Sequence, residues 1–414
     1  MPAATPHPIA PDLHHLALRR RQWLWGAAAA LAAPAQALAQ IGTPLKIGVI
    51  APVTGNSSDF GTPMLQGIQP AVAEINAVGG YMGRPLQLVI KDDQGAPDVG
   101  LKLAQTLVTE DVVATLGFCN TGVAQKALEV FQGAKQPLII PCATGTPLTT
   151  RYPAPESYIF RTSASDGIQA PFLVDDLVKR GWTKVAIFAD STGYGDAGLK
   201  DIEAALAAKN LKAVYVSRFA IGTKDLRDEL KAARDAGANV VVSYAVGPES
   251  AVIANGRKAL NWKVPQAGAW TLSFPFFIDG AKDAAEGALT VQTFIAEPSN
   301  ERRRAFLSAY ATKYGKRLAV PMAAAQGYDS TYLLLYALFG IRDGNLSGPA
   351  VKAALENISR IYYGVIATYQ HPFGPNDKEA MSQNMLVMGE VRNGAVTFAY
   401  PEDAKRNLMV QRKK

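Results

Sequence analysis

From Leu45 onward the chain alternates short apolar runs with longer amphipathic ones. LKIGVIAPV, starting at Leu45, is an almost unbroken apolar run, the pattern of a strand covered on both faces. PMLQGIQPAVAEINAVGG has helical periodicity and closes on Gly79-Gly80, a C-terminal cap signal. PLQLVIKDDQG reads as a second strand, followed by a helix from Pro97 to Glu110. VVATLG reads as a third, with a helix after Asn120, and PLIIPCATG as a fourth. This alternation predicts a parallel sheet with helices on both faces. After SYIFRTSASD it restarts, with strands KVAIFAD, LKAVYVSRF, NVVVSYAV and PQAGAW and helices beginning near Gly195, Thr223 and Pro248. Two α/β units in series are expected. GALTVQTFIAEP then leads to helices at Asn300–Tyr314 and Pro321–Ile341, which need a sheet to cover; the first unit's is the candidate. NMLVMGEVRNGAVTFAY carries Asn393-Gly394 at its centre, a hairpin signal.

The first forty residues break this pattern. LRRRQWLWGAAAALAAPAQALAQ has a basic start at Arg19, Arg20 and Arg21, an apolar run from Trp23 to Ala33, and a small-residue end at Ala37-Leu38-Ala39. Residues 1–39 are therefore expected to be a secretory signal peptide, cleaved after Ala39, which places the mature chain in the periplasm. Arg20-Arg21-Gln22-Trp23-Leu24 also fits a twin-arginine pattern, so both export routes stay open. The apolar run is too short to span a bilayer. No cysteine follows the cleavage site to carry a lipid.

Length and composition narrow the picture further. A chain of 414 residues, 48% apolar and 19% charged, suits two soluble domains around separate cores. Three arginines and one aspartate in the leader leave the remainder at +5 of the total +7. Those charges are scattered, apart from ERRRAF and the terminal QRKK, which argues against nucleic-acid binding. His7, His14 and His15 lie in the leader, so the mature chain keeps only His371, in the turn-like YQHPFGP. A Ser-His-Asp triad needs a histidine beside its nucleophile, and zinc sites usually need several His or Cys ligands. Gly-x-Ser-x-Gly, His-Glu-x-x-His and Walker A are all missing. No catalytic residue, metal site or cofactor is expected. The remaining chemical signal is TLGFCNTGVAQKAL, Thr115 to Leu128, where an apolar strand gives way to small polar residues and then a helix. Such a junction offers bare backbone N–H groups to an anion.

LKIGVIAPVTGNSSDFGTPMLQGIQPAVAEINAVGGYMGRPLQLVIKDDQGAP closely resembles the type I periplasmic solute-binding proteins of branched-chain amino acid ABC transporters, the leucine/isoleucine/valine-binding group. DSTGYGDAG, AAEGALTVQTF and AAAQGYDSTYLL extend the resemblance over nearly the whole mature chain. It implies two doubly wound parallel-sheet domains joined by a three-crossing hinge. One lobe would comprise 40–161 plus 294–367 and the other 162–293 plus 368–414. The crossings would lie near Arg161, near Val291 to Phe294 and near Ala367 to Tyr369. It also implies a receptor that closes on a ligand and delivers it to permease subunits in the inner membrane, without chemistry and as a monomer.

Residue by residue, the resemblance gives Thr121 and its neighbour Asn120 to the ligand's carboxylate. In IIPCATG it gives the Cys142 carbonyl to an ammonium, and Ala143-Thr144 to the carboxylate through backbone N–H and hydroxyl. Thr121 and Thr144 could alternatively serve only as helix caps. Phe60 aligns with a tyrosine of the first-domain wall, Tyr194 with a tyrosine that covers the ligand from the second domain, and Val246 with another family tyrosine. Trp270 stands where the amino-acid binders place an acid against the ligand ammonium. Nearby carboxylates that could replace that acid are few: Glu249, in VGPES, is one candidate, but it is expected to be solvated at a helix start. The pocket thus looks built for a carboxylate on an apolar or aromatic body, with branched-chain and other hydrophobic amino acids kept as ligands; if Trp270 sits instead in the hinge-side core, that inference weakens. The family's disulfide joins a different pair, so Cys119 and Cys142 are expected to be two small buried thiols, a bond being permitted if their Cα atoms lie within about 7 Å. A ligand sensor of the same fold and a secreted α/β hydrolase relying on His371 are the rival functions.

Overall fold

The computed structural model describes residues 42–315, 318–406 and 413. The leader and most of QRKK lie outside the described residues. The first half forms β1 (Leu45–Ala51), α1 (Ser58–Ala77), β2 (Leu86–Asp92), α2 (Pro97–Leu107), β3 (Thr115–Gly117), α3 (Thr121–Gly133), β4 (Leu138–Ile140) and β5 (Ile159–Arg161). The strands make one parallel sheet in the order β2-β1-β3-β4-β5. Period-two alternation explains the unbroken apolar run of β1: Ile47 and Val49 enter one apolar cluster, and Ile50 enters another on the opposite face.

The second half supplies α4 (Asp166–Lys179), β6 (Val185–Asp190), α5 (Gly193–Ala207), β7 (Tyr215–Phe219), α6 (Arg227–Asp235), β8 (Val240–Tyr244), α7 (Glu249–Ala259), β9 (Gln266–Gly268), α8 (Pro275–Ala281) and β10 (Leu289–Gln292). Then come α9 (Glu301–Tyr314), α10 (Pro321–Leu338), α11 (Gly348–Glu356), β11 (Tyr362–Tyr363), β12 (Thr368–Tyr369), β13 (Val387–Arg392) and β14 (Ala395–Phe398). Its sheet runs β14-β13-β10-β9-β8-β6-β7. It is mixed rather than purely parallel, because the hairpin adds β13 and β14 antiparallel at one edge. Asn393 and Gly394 make the two-residue turn with φ of 51° and 71°, the left-handed values that a tight hairpin needs.

α10 returns to cover the first sheet through α1. It is buried along most of its length, and small residues let the two backbones touch. A Cβ placed on Gly67 would sit 1.8 Å from the Ala324 carbonyl oxygen, and one on Gly327 would sit 2.4 Å from that of Met64. The chain passes between the lobes after Arg161, after Gln292 and, a third time, beyond Ala380. Thr368 and Tyr369 pair with β11, and the Tyr369 hydroxyl donates to buried Asp329 of α10 at 3.1 Å. Phe373 packs on Phe160 at 5.1 Å, and Arg161 N–H donates to the Lys378 carbonyl at 2.8 Å. Among the described residues no helix is long and apolar enough to cross a membrane.

Gly67→Ala should lower stability by about 1–3 kcal/mol, because overpacking here meets backbone rather than a flexible side chain. Denaturant unfolding should show a lower midpoint at an unchanged slope.

Candidate ligand-binding site

The carboxyl ends of both sheets face one another, the place where open α/β sheets bind ligands. Between them lies a cleft of about 870 Å³. Asn120, Thr121, Tyr194 and Val246 line it, together with Gly122, Gly193 and Phe276. α3 begins on one wall and α5 on the other, so two helix N-termini meet across the cleft. A Cβ on Gly193 would come within 3.1 Å of the Gly122 Cα, so glycine is what allows the walls to approach this closely. Thr192 caps α5, its hydroxyl accepting from Tyr194 N–H at 3.2 Å. Asn120 makes no side-chain cap on α3; its amide donates to Ser57 Oγ at 3.1 Å instead. The first turn of α3 is thereby left as a concentration of partial positive charge beside the cleft.

Phe60, Cys142, Ala143, Thr144 and Trp270 are buried rather than cleft-lining. Thr121 Oγ1 accepts from Gly145 N–H at 3.2 Å, which links the α3 start to the loop after β4. The Thr144 hydroxyl donates to Asp166 Oδ2 at 3.2 Å. Phe60 of the first lobe meets Trp270, Phe274 and Phe276 of the second at ring separations of 6.0, 4.4 and 5.7 Å. Trp270 is 1% exposed, yet its indole Nε1 has no hydrogen-bond partner. The Tyr194 hydroxyl is likewise buried, and its one polar neighbour is the Thr271 hydroxyl. Buried polar atoms normally find partners, so these positions stand out.

Two expectations are corrected. Cys119 and Cys142 are not free thiols: they form a disulfide with Cα atoms 4.6 Å apart. The register explains it, since Leu116 pairs with Ile139 and each cysteine stands three residues further along its neighbouring parallel strand. The bond ties Asn120-Thr121 to Ala143-Thr144. Glu249 is not solvated but 1% exposed, with Oε1 accepting from Gly222 N–H at 2.6 Å. His371 is exposed, in a left-handed bend at φ 48°, and takes no part in the cleft.

Sequence reasoning missed Asp166. This acid, in the first turn of α4, is fully buried and accepts from Thr144 and, at 3.4 Å, from the Tyr244 hydroxyl. Burial, and then repulsion from Asp201, pushes its carboxyl up to about 8 against the pull of Arg161. The same burial raises the Tyr194 and Tyr244 hydroxyls well above the usual tyrosine range, with Asp166 adding to it. An acid in a first helical turn ordinarily serves the helix dipole from solvent. Only the neighbouring Arg161 in FRTSASD hinted at burial. Among the described residues no group of His, Cys, Asp and Glu is placed to hold a metal ion.

Two α/β lobes with facing helix N-termini define a cleft-binding protein of the periplasmic type. Residues 44–395 match the model of the periplasmic binding protein family, and the chain belongs to that family. It is 34% identical to a Leu/Ile/Val-binding protein homolog of Brucella melitensis over 199 residues, 48% of this chain and 53% of the relative. It is 25% identical to a leucine-, isoleucine-, valine-, threonine- and alanine-binding protein of Pseudomonas aeruginosa over 272 residues, 65% and 71% of the two chains. The chain thus spans about half the length of the first of these relatives. A type 1 periplasmic binding protein from Bordetella pertussis superposes with a TM-score of 0.77 at 22% identity, covering 86% of this chain and 99% of that one. An ABC transporter solute-binding protein from R. palustris, solved in complex with benzoate, gives 0.72 at 20% identity, covering 86% and 95%. These relatives are binding proteins, named for what they hold.

The raised carboxyl of Asp166 fixes the sign of a pH effect. An acid at about 8 in the fold and 3.8 in the open chain keeps its proton longer when folded. Its contribution is therefore complete below about pH 4 and is lost as pH climbs toward 8. Buried Asp93, pushed up to about 7, acts in the same sense. The melting temperature of the ligand-free protein should fall between about pH 5 and 8, and Asp166→Asn should flatten that fall. Scanning calorimetry across this range measures both.

Proposed function

We propose that this protein is the periplasmic solute-binding component of an ABC importer. It captures a small carboxylate with an apolar or aromatic body, closes around it, and presents the closed form to membrane permease subunits. It acts as a monomer, uses no cofactor and carries out no reaction; the leader exports it. The hinge lies at the three passages, with the lobe built on 42–161 and 294–380 closing against the remainder. The observation that carries this reading is the meeting of two helix N-termini across a cleft with unpaired polar groups buried at its walls. Enzymatic readings find no support in His371, which stands outside the cleft.

Ligand class follows from the aromatic cluster. Phe276 lines the cleft and stacks on Phe274 at 5.3 Å, which in turn meets Trp270 and Phe60. A flat ring burying roughly 100 Å² against such a wall gains about 2.5 kcal/mol from area alone. A hydrophobic amino acid is the second reading, favoured by one observation: Asp166 supplies a buried carboxyl next to Thr144, where an ammonium would otherwise have only the Cys142 carbonyl. The names of the curated relatives point the same way.

Three changes test the site. Thr121→Val should weaken carboxylate binding by about 1.5–3 kcal/mol, since a charged acceptor loses a donor; Thr144→Val should weaken it less, because the Thr144 hydroxyl is donated to Asp166. Gly193→Ala should cost roughly tenfold or more in affinity (about 1–3 kcal/mol of overpacking at Gly122) while leaving ligand-free stability nearly unchanged, because the open form relieves the contact. Calorimetric titration with benzoate, phenylpropanoate, leucine and valine reads all three and ranks the ligands. Unchanged affinity in both threonine variants removes them from the site. Leucine or valine outranking every aromatic acid selects the second reading.

A further inference from the structure

The position of Glu249 at the start of α7 predicts a solvated acid, yet the fold buries it. Oε1 is committed to Gly222 N–H. Oε2 has no partner and lies where a Gly247 side chain would project, 2.4 Å from an ideal Cβ. Gly222, Gly247 and Glu249 together form the second-lobe wall of the cleft. Among the described residues no ion pair compensates this carboxylate: the lysine of the same wall, Lys224, is exposed, and Oε2 is unbonded. Its charged neighbour Asp190 is another acid. Across the cleft, Asn120 is 8% exposed and spends its amide N–H on Ser57, which leaves Oδ1 unbonded.

Each wall therefore offers a buried acceptor without a donor, and a buried acceptor left unmade is costly. A carboxylate cannot satisfy either, since like charge repels it from Glu249 and it brings no hydrogen. It is better placed at the N-termini of α3 and α5 beside Thr121 and Tyr194. What Glu249 and Asn120 need is the opposite chemistry.

We propose that Glu249, with Asn120 on the facing wall, forms a second subsite for an N–H-bearing group, an ammonium or amide, at the end of the ligand remote from its carboxylate. The proposal rests on the carboxylate reading above. It makes the ligand bifunctional and assigns recognition of its far end to two residues that engage together only when the lobes are closed.

Matched acids test it in the full-length mature protein. 4-(Aminomethyl)benzoate and 4-methylbenzoate share shape and carboxylate, as do 6-aminohexanoate and hexanoate; only one member of each pair carries the far ammonium. Titration calorimetry should show the amino member binding at least tenfold tighter in one pair or both. Glu249→Gln retains an oxygen for Gly222 N–H but turns the free acceptor into a donor. It should shrink that gap to threefold or less. Equal affinities within both pairs, or a gap that survives Glu249→Gln, overturn the subsite while leaving the carboxylate reading intact. If no member of either pair binds, both fall together.

Discussion

The buried guanidinium of Arg161 is the point from which the binding architecture is hung. It is wholly buried at the end of β5, where the chain first leaves the first lobe. Nη1 donates to the Thr144 and Gly145 carbonyls at 3.0 and 2.7 Å, and Nη2 to Thr149 Oγ1 at 2.8 Å and to the Glu379 carboxylate. A buried charge is tolerated only when it is paired and hydrogen-bonded, so these partners are fixed as a group. The loop after β4 is thereby held by its carbonyls, which leaves the Thr144 side chain to face Asp166. Glu379 comes from the last segment before the third passage, so the same cation joins two of the three connections between the lobes.

Everything else at the site sits one bond away from that clamp. The disulfide locks the start of α3 to the loop that Arg161 holds, and Gly145 N–H adds a bond to Thr121 Oγ1. On the other lobe, Asp190 does comparable work: it accepts from Thr192 and from Val246 N–H at 2.8 Å, joining the start of α5 to the loop after β8. Each wall is therefore rigid in itself. Freedom is left in the relation between walls, which is what a hinge requires.

Much of this was legible in the sequence, for identifiable reasons. The parallel strands are apolar on both faces and announce themselves. The hairpin is fixed by Asn393-Gly394, because few other pairs adopt two successive left-handed conformations. Asn120, Thr121, Tyr194 and Val246, which the family resemblance offered, all line the cleft. What stayed hidden depends on side-chain company rather than on pattern. An acid in the first turn of a helix reads as solvated whether it is exposed like Asp196 or buried like Asp166 and Glu249. The Cys119–Cys142 bond needs the β3–β4 register, and strands of three residues are too short to set a register from sequence alone. That Tyr362 and Tyr369 are drawn back to Asp329, a contact across more than thirty residues, was equally out of reach.

The two halves of the site make closure depend on the ligand. Aromatic contact between Phe60 and the Trp270–Phe274–Phe276 group draws the lobes together without any ligand, since it is non-directional and rewards burial alone. The polar groups oppose it: the indole of Trp270 and the free oxygens of Asn120 and Glu249 lose water on closing and find no partner. At about 1–3 kcal/mol for each unsatisfied group, each penalty is of the same order as the gain from burying one aromatic ring. A ligand that supplies the missing partners removes the opposing term and adds its own apolar area, so it shifts the equilibrium by the difference in its affinity for the two forms. A purely apolar molecule would add area but leave the polar groups unpaired, and would close the lobes poorly. Selectivity and closure are thus the same physical event, read at two different distances from the hinge.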